Sequence, residues 1–427
     1  MLPNQDRPLR WLFLDLNSYF ASVEQAEDVS LLGKPVAVAP VSGDGATIIA
    51  ASYEAKAFGV STGTKVGEAK RLCPAIIFKP ARPSLYVHYH KLILSAVETV
   101  LPIHRVCSID EMKFRLLGSE MEEASARILA ERLKAAIKAE VAPSLTCSIG
   151  IAPNSFLAKL ASDLQKPDGL VVIEAKDLPD RLRGLKLTTF TGINKRMEAR
   201  LMASGIFVSD DLLSRSPKEL VQAFGSKVGE RWWHLLRGDD QEFENETGKS
   251  LGHSNVLAPQ YRNDDGCREI MLRLIHKACA RMRANGVWAG HVHFSVIGRE
   301  KSWSADMRVA PTQDAITVTQ HLQRFWPNRD FRQPTQVGVT FTDLRTSEAI
   351  TPSLFEDTRD LAQLGHAVDE VNGKFGKNSV FLASLSKAKN AASEKIAFNK
   401  TWLFAEGKGD HDWTESKSAR EDSFPES

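Results

Sequence analysis

The chain has 427 residues, of which 43% are hydrophobic and 25% are charged. That length and composition predict two to four domains with sizeable cores, and they exclude a chain that is disordered throughout. The formal net charge is only +2, so bulk charge does not by itself indicate a nucleic-acid partner.

The sequence carries no apolar run long enough to cross a membrane, and its first residues, MLPNQDRPLR, lack an apolar signal core. We therefore expect a cytoplasmic protein without a membrane partner. The five cysteines are scattered and form no CxxC pair, which favours neither a zinc site nor a disulfide framework.

The first part of the chain, residues 10–175, has the pattern of an α/β region. Helical spacing of apolar residues predicts helices over 119–141 and over Ser155–Leu164. The predicted strands between the helical patterns are WLFLDL, KPVAVAP, GATIIAAS, VCSIDEMKF, LTCSIGIA and GLVVIE.

The first predicted strand runs into a carboxylate, Asp15, which is followed by Leu16, Asn17 and Ser18. One interpretation is a solvated strand end, with Ser18 capping the next helix. The other is a metal ligand at the edge of a sheet, which requires further carboxylates elsewhere in the chain.

A second acidic signal is CSIDEMKF, which contains the neighbours Asp110 and Glu111. Neighbours on a regular strand point to opposite faces, so both reach one site only near a strand end, where the backbone bends. Together with Asp15 they would form a repulsive cluster of three anions. Two Mg²⁺ ions would relieve that repulsion and support phosphoryl or nucleotidyl transfer.

Cationic and hydroxyl groups suited to a triphosphate occur in two further segments. Tyr53 and Lys56 lie in ASYEAKAFGV, and Lys166 lies in QKPDG. Taken singly, each lysine fits an ordinary surface charge better, and Tyr53 fits a half-buried packing residue better.

Residues 176–238 change to short helices separated by turns. TGINKRMEARLMASGI contains Gly192, Asn194 and Lys195, and AFGSKVGERWWHLLRG repeats the pattern. The second motif contains Gly225, Lys227 and Gly229. Both resemble helix-hairpin-helix turns, whose backbone N–H groups bind DNA phosphates without reading sequence, although plain helical hairpins have the same pattern.

A polar linker at 239–249 leads to a small α+β domain at 250–345, with strands near SNVLAPQYR, HVHFSVIGRE, KSWSADMRVA and TQVGVTFTDL. Helices are predicted near 267–285 and 312–326. This region carries more basic than acidic residues, which favours a polyanion but equally fits a solvated face. An extension at 346–406 contains one helical segment, and we expect 407–427 to be disordered.

The order of these motifs resembles the Y-family (translesion) DNA polymerases, in particular the bacterial DinB (polymerase IV) and UmuC (polymerase V) branches. DLNSYFASVE, YEAKAFGV, SIDE, SIGIAPNSFLAKLASDLQKPDGL and the paired hairpins occur in the family's order and spacing. The resemblance covers about residues 10–345.

The resemblance implies a multidomain α+β right-hand polymerase. The palm would be 1–19 and 84–174, the fingers 20–83, the helix-hairpin-helix thumb 175–238 and the little finger 250–345. The implied activity is low-fidelity, template-directed addition of deoxynucleotides to a primer in translesion synthesis and DNA repair.

The resemblance also assigns roles to residues. Asp15, Asp110 and Glu111 match the family's metal-binding carboxylates, and the carbonyl of Leu16 would complete the shell of two Mg²⁺ ions. The backbone of Ser18, Tyr19 and Phe20 would lie against the phosphates of the incoming deoxynucleoside triphosphate. The implied role of the Phe20 ring is the steric gate that excludes a ribose 2′-OH, although Phe20 taken alone fits a core residue better.

Three positions depart from the common family pattern. Asn17 stands where many relatives carry a second Asp, and Lys56 where many carry Arg. Asn194 replaces a usual thumb glycine, and we expect it to adopt the left-handed geometry that Asn tolerates. Because all three carboxylates are kept, the sequence favours an active enzyme over the inactive ImuB-like relatives.

The extension contains a candidate partner motif. TPSLF, at residues 351–355, resembles the peptide by which bacterial polymerases bind the sliding clamp, and it matches at Ser353, Leu354 and Phe355. An incidental apolar pair is the alternative. We expect a monomer that binds primer-template DNA and this clamp.

Two rival functions stay open at this point. One is a non-catalytic DNA-binding damage-response factor with a relict palm, and the other is a palm-fold nucleotidyl cyclase. The paired hairpins and the domain at 250–345 argue against the cyclase, which has no need of duplex DNA.

Overall fold

The computed structural model describes residues 7–40, 43–240, 250–350, 358–376 and 378–386. These residues form two compact units, one on each side of the 241–249 segment. Each unit has hydrophobic core residues of its own. Within the described ranges, none of the helices combines the length and apolarity needed to cross a bilayer.

The first unit contains two sheets and a helical region. Its strands are β1 (Trp11–Leu16), β2 (Val36–Ala39), β3 (Ala50–Ala51), β4 (Ile77–Pro80), β5 (Ile103–Val106), β6 (Glu111–Arg115), β7 (Cys147–Ala152) and β8 (Leu170–Val172). Its helices are α1 (Tyr19–Glu27), α2 (Tyr53–Ala57), α3 (Val66–Leu72), α4 (Pro83–Glu98), α5 (Glu123–Glu140), α6 (Ser155–Leu164), α7 (Lys195–Ala203), α8 (Ser209–Ser214), α9 (Pro217–Phe224) and α10 (Val228–Leu235).

The larger sheet has the order β5-β6-β1-β7-β8, with β1 at its centre and antiparallel to both neighbours. Every residue of β1 is buried. Leu12 and Leu14 pack in the core that holds α4 and α5 residues, whereas Trp11 and Phe13 pack in a second core with α6. Because side chains alternate along a strand, Asp15 falls on the face of Trp11 and Phe13, which α6 covers.

Helix α6 lies unusually close to the sheet because β7 carries Gly150. A Cβ at this position would lie 2.0 Å from the carbonyl oxygen of Ala158 and 2.3 Å from the backbone nitrogen of Ser162. Asn154 caps the helix by accepting a 2.8 Å hydrogen bond from the backbone N–H of Leu157. Gly150 therefore sets the distance between α6 and the sheet, and the Asn154 cap sets where the helix begins.

The smaller sheet has the order β3-β2-β4, in which β2 is antiparallel to β3 and parallel to β4. It has a separate small core built largely from alanine and valine. The region from α7 to α10 is helical, and its apolar residues share the core of α6. Trp232 is central in this core, and the centre of its ring lies 4.9 Å from that of Phe156 and 5.3 Å from that of Phe224.

The second unit is one sheet with helices on one face. Its elements are β9 (Ser250–Val256), α11 (Asp264–Ala284), β10 (Val287–Lys301), β11 (Trp303–Thr312), α12 (Ala315–Phe325), β12 (Arg332–Thr346) and α13 (Thr358–Phe375). The sheet order is β11-β10-β12-β9. Residues of β10 and β11 alternate in burial, and the inward set packs in one core with α11 and α12.

The predicted elements agree well with this architecture, and Ser155–Leu164 is reproduced as predicted. Three predicted strands differ. GATIIAAS is a strand only at Ala50–Ala51, and VCSIDEMKF is interrupted by a bend at 107–110. The sequence also predicts an extended SNVLAPQYR, but β9 begins at Ser250 and ends at Val256. The pairing of β9 with β12 ends at Val256, and Pro259 then begins a 3₁₀ turn. The proposed domain boundaries stay predictions, and 351–357 and 387–427 lie outside the described residues.

Candidate active site

The three predicted carboxylates lie at one end of the larger sheet. Asp15 is directly opposite Glu111 in the register of β1 and β6, and only 6% of Asp15 is exposed. Asp110 immediately precedes β6, and its carbonyl oxygen accepts a 2.9 Å hydrogen bond from the backbone N–H of Leu16. Residues almost a hundred positions apart are thus tied together by backbone pairing.

A tight turn holds the two neighbouring acids in place. The carbonyl oxygen of Glu111 accepts hydrogen bonds from the backbone N–H groups of Cys107 (2.8 Å) and Ser108 (3.1 Å). The imidazole Nδ1–H of buried His90 donates to the carbonyl of Ile109 at 2.7 Å. The backbone bends here, as the sequence predicts for adjacent acids that reach one site.

Two lysines neutralise the carboxylates. The Lys159 ammonium contacts Asp15 Oδ2, lies 2.9 Å from Glu111 Oε1 and lies 3.2 Å from Asp163. The Lys166 ammonium lies 2.7 Å from Asp15 Oδ1 and 2.8 Å from Asp163 Oδ1. Lys159 and Asp163 are one turn apart on α6, so this helix supplies both a cation and a further acid to the site.

The pKa shifts agree with a crowded, half-buried anionic site. Burial raises the pKa of the Asp110 carboxyl, and the nearby Asp15 charge adds to this, although the Ser108 hydroxyl opposes it. Burial likewise raises the pKa of Glu111 against the opposing effect of Lys159. Burial lowers the pKa of Lys159, but the surrounding carboxylates outweigh that cost and keep it well above its ordinary value.

The donor atoms at this sheet end suit a hard divalent cation, because all are oxygens. One ammonium already touches Asp15 and Glu111 together, so these two side chains approach closely enough to share a single cation. Asp110 instead accepts a hydrogen bond from the Ser108 hydroxyl. In this arrangement, across the part of the chain that the structure describes, no three acidic, histidine or cysteine side chains form a complete metal-binding group.

Asn17 connects the end of β1 to the turn that carries Lys166. Its side-chain oxygen accepts hydrogen bonds from the backbone N–H of Asp168 (2.8 Å) and from the hydroxyl of Thr146 (3.1 Å). The Lys134 ammonium holds the same turn through the carbonyl of Asp168 at 2.7 Å. An amide serves this purpose because it accepts from these donors without adding another negative charge beside Asp15.

The predicted phosphate-binding residues Tyr53 and Lys56 lie on α2, beside the carboxylate site. The Lys56 ammonium donates to the hydroxyl of Ser18 at 2.7 Å and lies 4.2 Å from the centre of the Tyr53 ring. Burial lowers the pKa of Lys56, and the neighbouring charge of Lys166 lowers it further. Ser18 itself has a left-handed backbone (φ 48°) at the start of α1.

Tyr19 and Phe20 begin α1 and are both buried. The Tyr19 hydroxyl donates to the carbonyl of Tyr86 at 2.6 Å, and the Phe20 ring stacks on the Tyr86 ring with centroids 4.4 Å apart. The Tyr86 hydroxyl donates to Glu24 Oε1 at 2.8 Å, and Arg82 pairs with the same buried carboxylate. Phe20 is 5% exposed and belongs to the core, so its role as a steric gate stays a prediction.

The first thumb hairpin corrects one expectation. Asn194 is extended (φ −87°), not left-handed, and its side chain caps α7 by accepting from the backbone N–H groups of Arg196 and Met197. The left-handed position is Gly192 (φ 105°). Asn is favoured here because a capping residue needs a short side-chain acceptor, and Lys195 follows it as the first residue of α7.

The second hairpin corrects the expectation that the backbone N–H of Gly229 binds a DNA phosphate. Gly225 is left-handed (φ 66°) and ends α9, and Lys227 precedes α10. Gly229 is buried: a Cβ there would lie 2.1 Å from the carbonyl oxygen of Leu220, and its N–H already donates to Ser226. Gly229 therefore serves close helix packing, and this N–H is not available to a DNA phosphate.

Several residues of the site were not predicted from the sequence. Lys159 and Asp163 lie within SFLAKLASDL, and their signal was a pair of opposite charges four residues apart on an otherwise apolar helix. Glu24 and Tyr86 gave no signal, because they meet across 62 residues of sequence. The predicted clamp-binding residues Ser353, Leu354 and Phe355 lie outside the described residues.

Comparison with known families identifies two matching regions. Residues 14–163 match the profile of the impB/mucB/samB family, and residues 248–370 match the C-terminal domain of the same family. A protein of Moorella thermoacetica named DNA polymerase IV is 34% identical over 387 residues, which cover 87% of this chain and 95% of that protein. The DNA polymerase IV of Pelotomaculum thermopropionicum is 33% identical and covers 87% and 94%, respectively.

Solved structures agree with these relationships. A Y-family polymerase chimera titled Dbh-Dpo4(243-245)-Dbh superposes with a TM-score of 0.68 at 23% identity, and the match covers 79% of this chain and all of that chain. The insertion ternary complex of Dbh DNA polymerase gives a TM-score of 0.56 at 25% identity with the same coverage. At 23% identity, the similarity to the chimera shows a shared fold alone.

Proposed function

Since the chain belongs to the impB/mucB/samB family of DinB-like Y-family DNA polymerases, we propose that the sheet end with Asp15, Asp110 and Glu111 is its nucleotidyl-transfer centre. The chain is a DNA-directed DNA polymerase of the translesion type. The observation that carries the proposal is the register of Asp15 against Glu111, with one cation shared between them.

Members of this family generally depend on divalent metal ions. We infer that Asp15, Asp110, Glu111 and the carbonyl of Leu16 would hold two Mg²⁺ ions. Such ions, when bound, lower the pKa of the primer 3′-OH and stabilise charge on the pyrophosphate leaving group.

The remaining roles fall to side chains that surround the carboxylates. The Tyr53 hydroxyl would donate a hydrogen bond to the triphosphate of the incoming nucleotide. Lys56 and Lys166 would balance the negative charge of the triphosphate. Lysine is a point charge without the two-pronged geometry of arginine, so Lys56 would hold the phosphates less rigidly. Ser18 already lies against Lys56, so the start of α1 would lie beside the same phosphates.

Low fidelity is a further part of the proposal. The described residues of the predicted fingers, 20–83, form a small three-stranded sheet and short helices. A small domain would enclose the nascent base pair loosely, and selection against a wrong pair requires contacts that penalise it. The same looseness would admit a distorted template base.

Primer-template DNA and deoxynucleoside triphosphates are the proposed substrates. Two structural neighbours are titled as ternary complexes of Dbh polymerase. We infer that the thumb turns around Gly192, Lys195 and Lys227 and the unit from residue 250 contact the duplex through its phosphates. Sliding-clamp binding through 351–355, a monomeric state and a cytoplasmic location are also proposed.

Primer extension tests the catalytic proposal. Wild-type protein should extend a primed template with Mg²⁺, and the double variant Asp110→Ala, Glu111→Ala should not, while it still binds the DNA. DNA binding without extension by the wild type would instead support the non-catalytic damage-response factor. Consumption of a nucleoside triphosphate without DNA would support the cyclase.

A further inference from the structure

Lys159 is the most enclosed cation of the carboxylate site, with 13% of its side chain exposed. Its ammonium touches three carboxylates, which belong to β1, to β6 and to its own helix: Asp15, Glu111 and Asp163. The aliphatic part of a lysine tolerates burial, but an ammonium needs this many acceptors when water is largely excluded.

The position of this ammonium is fixed by the backbone. Lys159 lies on the face of α6 that covers Phe13 and Asp15, with the ammonium 5.3 Å from the centre of the Phe13 ring. Gly150 lets α6 approach the sheet so closely that the side chain reaches Asp15 directly. The lysine therefore lies at the carboxylate oxygens themselves and not at the rim of the site.

We propose that Lys159 is a resident counter-cation of this site. It holds Asp15 and Glu111 together when no divalent cation is bound, and it releases at least one of them when such a cation binds. The inference rests on the proposed function, because it assumes that these carboxylates are the metal ligands.

Asp163 provides the alternative partner that makes the exchange possible. It lies one helical turn from Lys159 and 3.2 Å from its ammonium, so this pair persists when Lys159 releases Asp15, Glu111 or both. Lys166, which lies 2.8 Å from Asp163 and 2.7 Å from Asp15, keeps its contact with Asp15. Metal binding thus includes the cost of displacing one internal cation, and Lys159 sets part of the apparent metal affinity.

Two measurements on the full chain test this: Mn²⁺ binding followed by electron paramagnetic resonance, and thermal unfolding in EDTA. Lys159→Gln should bind Mn²⁺ at least about tenfold more tightly, because a competing positive charge is gone. The same variant should unfold at least about 3 °C lower in EDTA, because the carboxylates then repel one another. Unchanged or weaker Mn²⁺ binding by Lys159→Gln would overturn the proposal.

Matched variants separate the possible explanations. Lys159→Arg, which keeps the charge, should stay near wild type in both measurements. Lys70→Gln, which removes a lysine paired with the exposed Asp44 at 3.0 Å, should also stay there. If either variant bound Mn²⁺ as tightly as Lys159→Gln, the effect would not belong to the positive charge at Lys159, and the inference would fail.

A double-mutant cycle tests the role of Asp163. Asp163→Asn alone should weaken Mn²⁺ binding, because Lys159 loses its alternative partner. The effect should be smaller when Lys159→Gln is already present, because only the contact of Asp163 with Lys166 is then lost. An equal effect in both backgrounds would rule out release of Lys159 onto Asp163.

A last comparison separates failure of this inference from failure of the proposed function. Asp15→Asn, Glu111→Gln should abolish Mn²⁺ binding at the site. A wild-type chain that bound no Mn²⁺ would contradict the metal site itself.

Discussion

The larger sheet of the first unit is mixed, with a parallel pair at β7 and β8, whereas the sheet of the second unit is antiparallel. The two sheets also differ in how their faces are covered. In the first, β1 is buried along its whole length, and it ends in Asp15. In the second, β11 alternates between inward and outward residues and leaves one face open. A strand covered on both faces holds a side chain at its end in a fixed position, whereas a one-sided sheet offers a broad surface.

The two sheets also differ in how tightly their glycines are packed. Gly150 of the first sheet lies against the backbone of α6. Gly338 of the second sheet lies on the outward side, where a Cβ would meet the Ser295 hydroxyl at 3.1 Å and Ser254 at 3.4 Å. A backbone cannot move aside as a serine side chain can, so we expect the first sheet to tolerate change much less than the second.

Loss of a carboxylate should give the largest effect. Asp15→Asn should lower kcat/KM for primer extension at least about 1,000-fold, because the amide cannot hold the cations on which charge stabilisation depends. Asp264 lies at the exposed start of α11 and pairs with Arg329. Asp264→Asn should change kcat/KM for primer extension less than about threefold. Equal losses would contradict the division of roles between the units.

The glycine pair gives the next largest effect. Gly150→Ala should destabilise the chain by at least about 3 kcal/mol, because the added methyl group overlaps the α6 backbone. Gly338→Ala should cost about 1 kcal/mol or less. Urea unfolding of both variants measures the difference, and a similar cost at the two sites would show that α6 is free to move.

Each unit also contains a histidine that burial keeps neutral. Burial lowers the pKa of His90 on α4 to about 4, and burial, with Arg273 and Arg283, lowers that of His276 on α11 to about 4. Since the unfolded chain takes up these protons near pH 6.5, stability is full above that pH. Each histidine should cost at most about 3 kcal/mol as pH falls from about 6.5 to 4.

Hydrogen exchange between about pH 7.5 and about pH 4.5, a range that covers most of this titration, tests the effect for each unit separately. Peptides from α4 and α11 should both lose protection as pH falls, after correction for the intrinsic exchange rate. His90→Asn, which keeps a side-chain donor for the Ile109 carbonyl, should remove much of the pH dependence from α4 only. A change of the same size in α11 would mean that the two units unfold together.

Phe20 tests whether the buried core of the first unit reaches the substrate. Phe20→Val should raise the ratio of ribonucleotide to deoxynucleotide kcat/KM at least about tenfold, if the ring closes the space for a 2′-OH. Leu14→Val, a truncation elsewhere in the same core, is the control and should leave that ratio unchanged. An unchanged ratio in Phe20→Val would assign Phe20 to packing against Tyr86 alone.

The smallest expected effect concerns the exposed thumb turns. Lys195→Gln should weaken duplex binding a few-fold, equally for all sequences, and reduce the slope of log Kd against log salt by about one. Arg127→Gln, which removes the partner of Glu123 on α5, is the surface control. If Lys195→Gln left the slope unchanged, its ammonium would not contact a phosphate.

Much of the fold was predictable because its strong signals are local. The apolar run of β1, the periodicity of α6 and the strand–helix order of the second unit all follow from side-chain spacing. Asn194 was predicted at the correct turn but with the wrong backbone, since capping and left-handed geometry both favour Asn. The limits of β9 were missed because pairing with β12 decides them.

The sequence alone determined which acids were candidates, since Asp15, Asp110 and Glu111 each adjoin an apolar strand segment. Only the tertiary structure decided what surrounds them. Lys159 reaches Asp15 because strand alternation puts that carboxylate on the α6 face and Gly150 admits the helix. Chain-local patterns specify elements, whereas contacts between residues far apart in the sequence depend on how those elements pack.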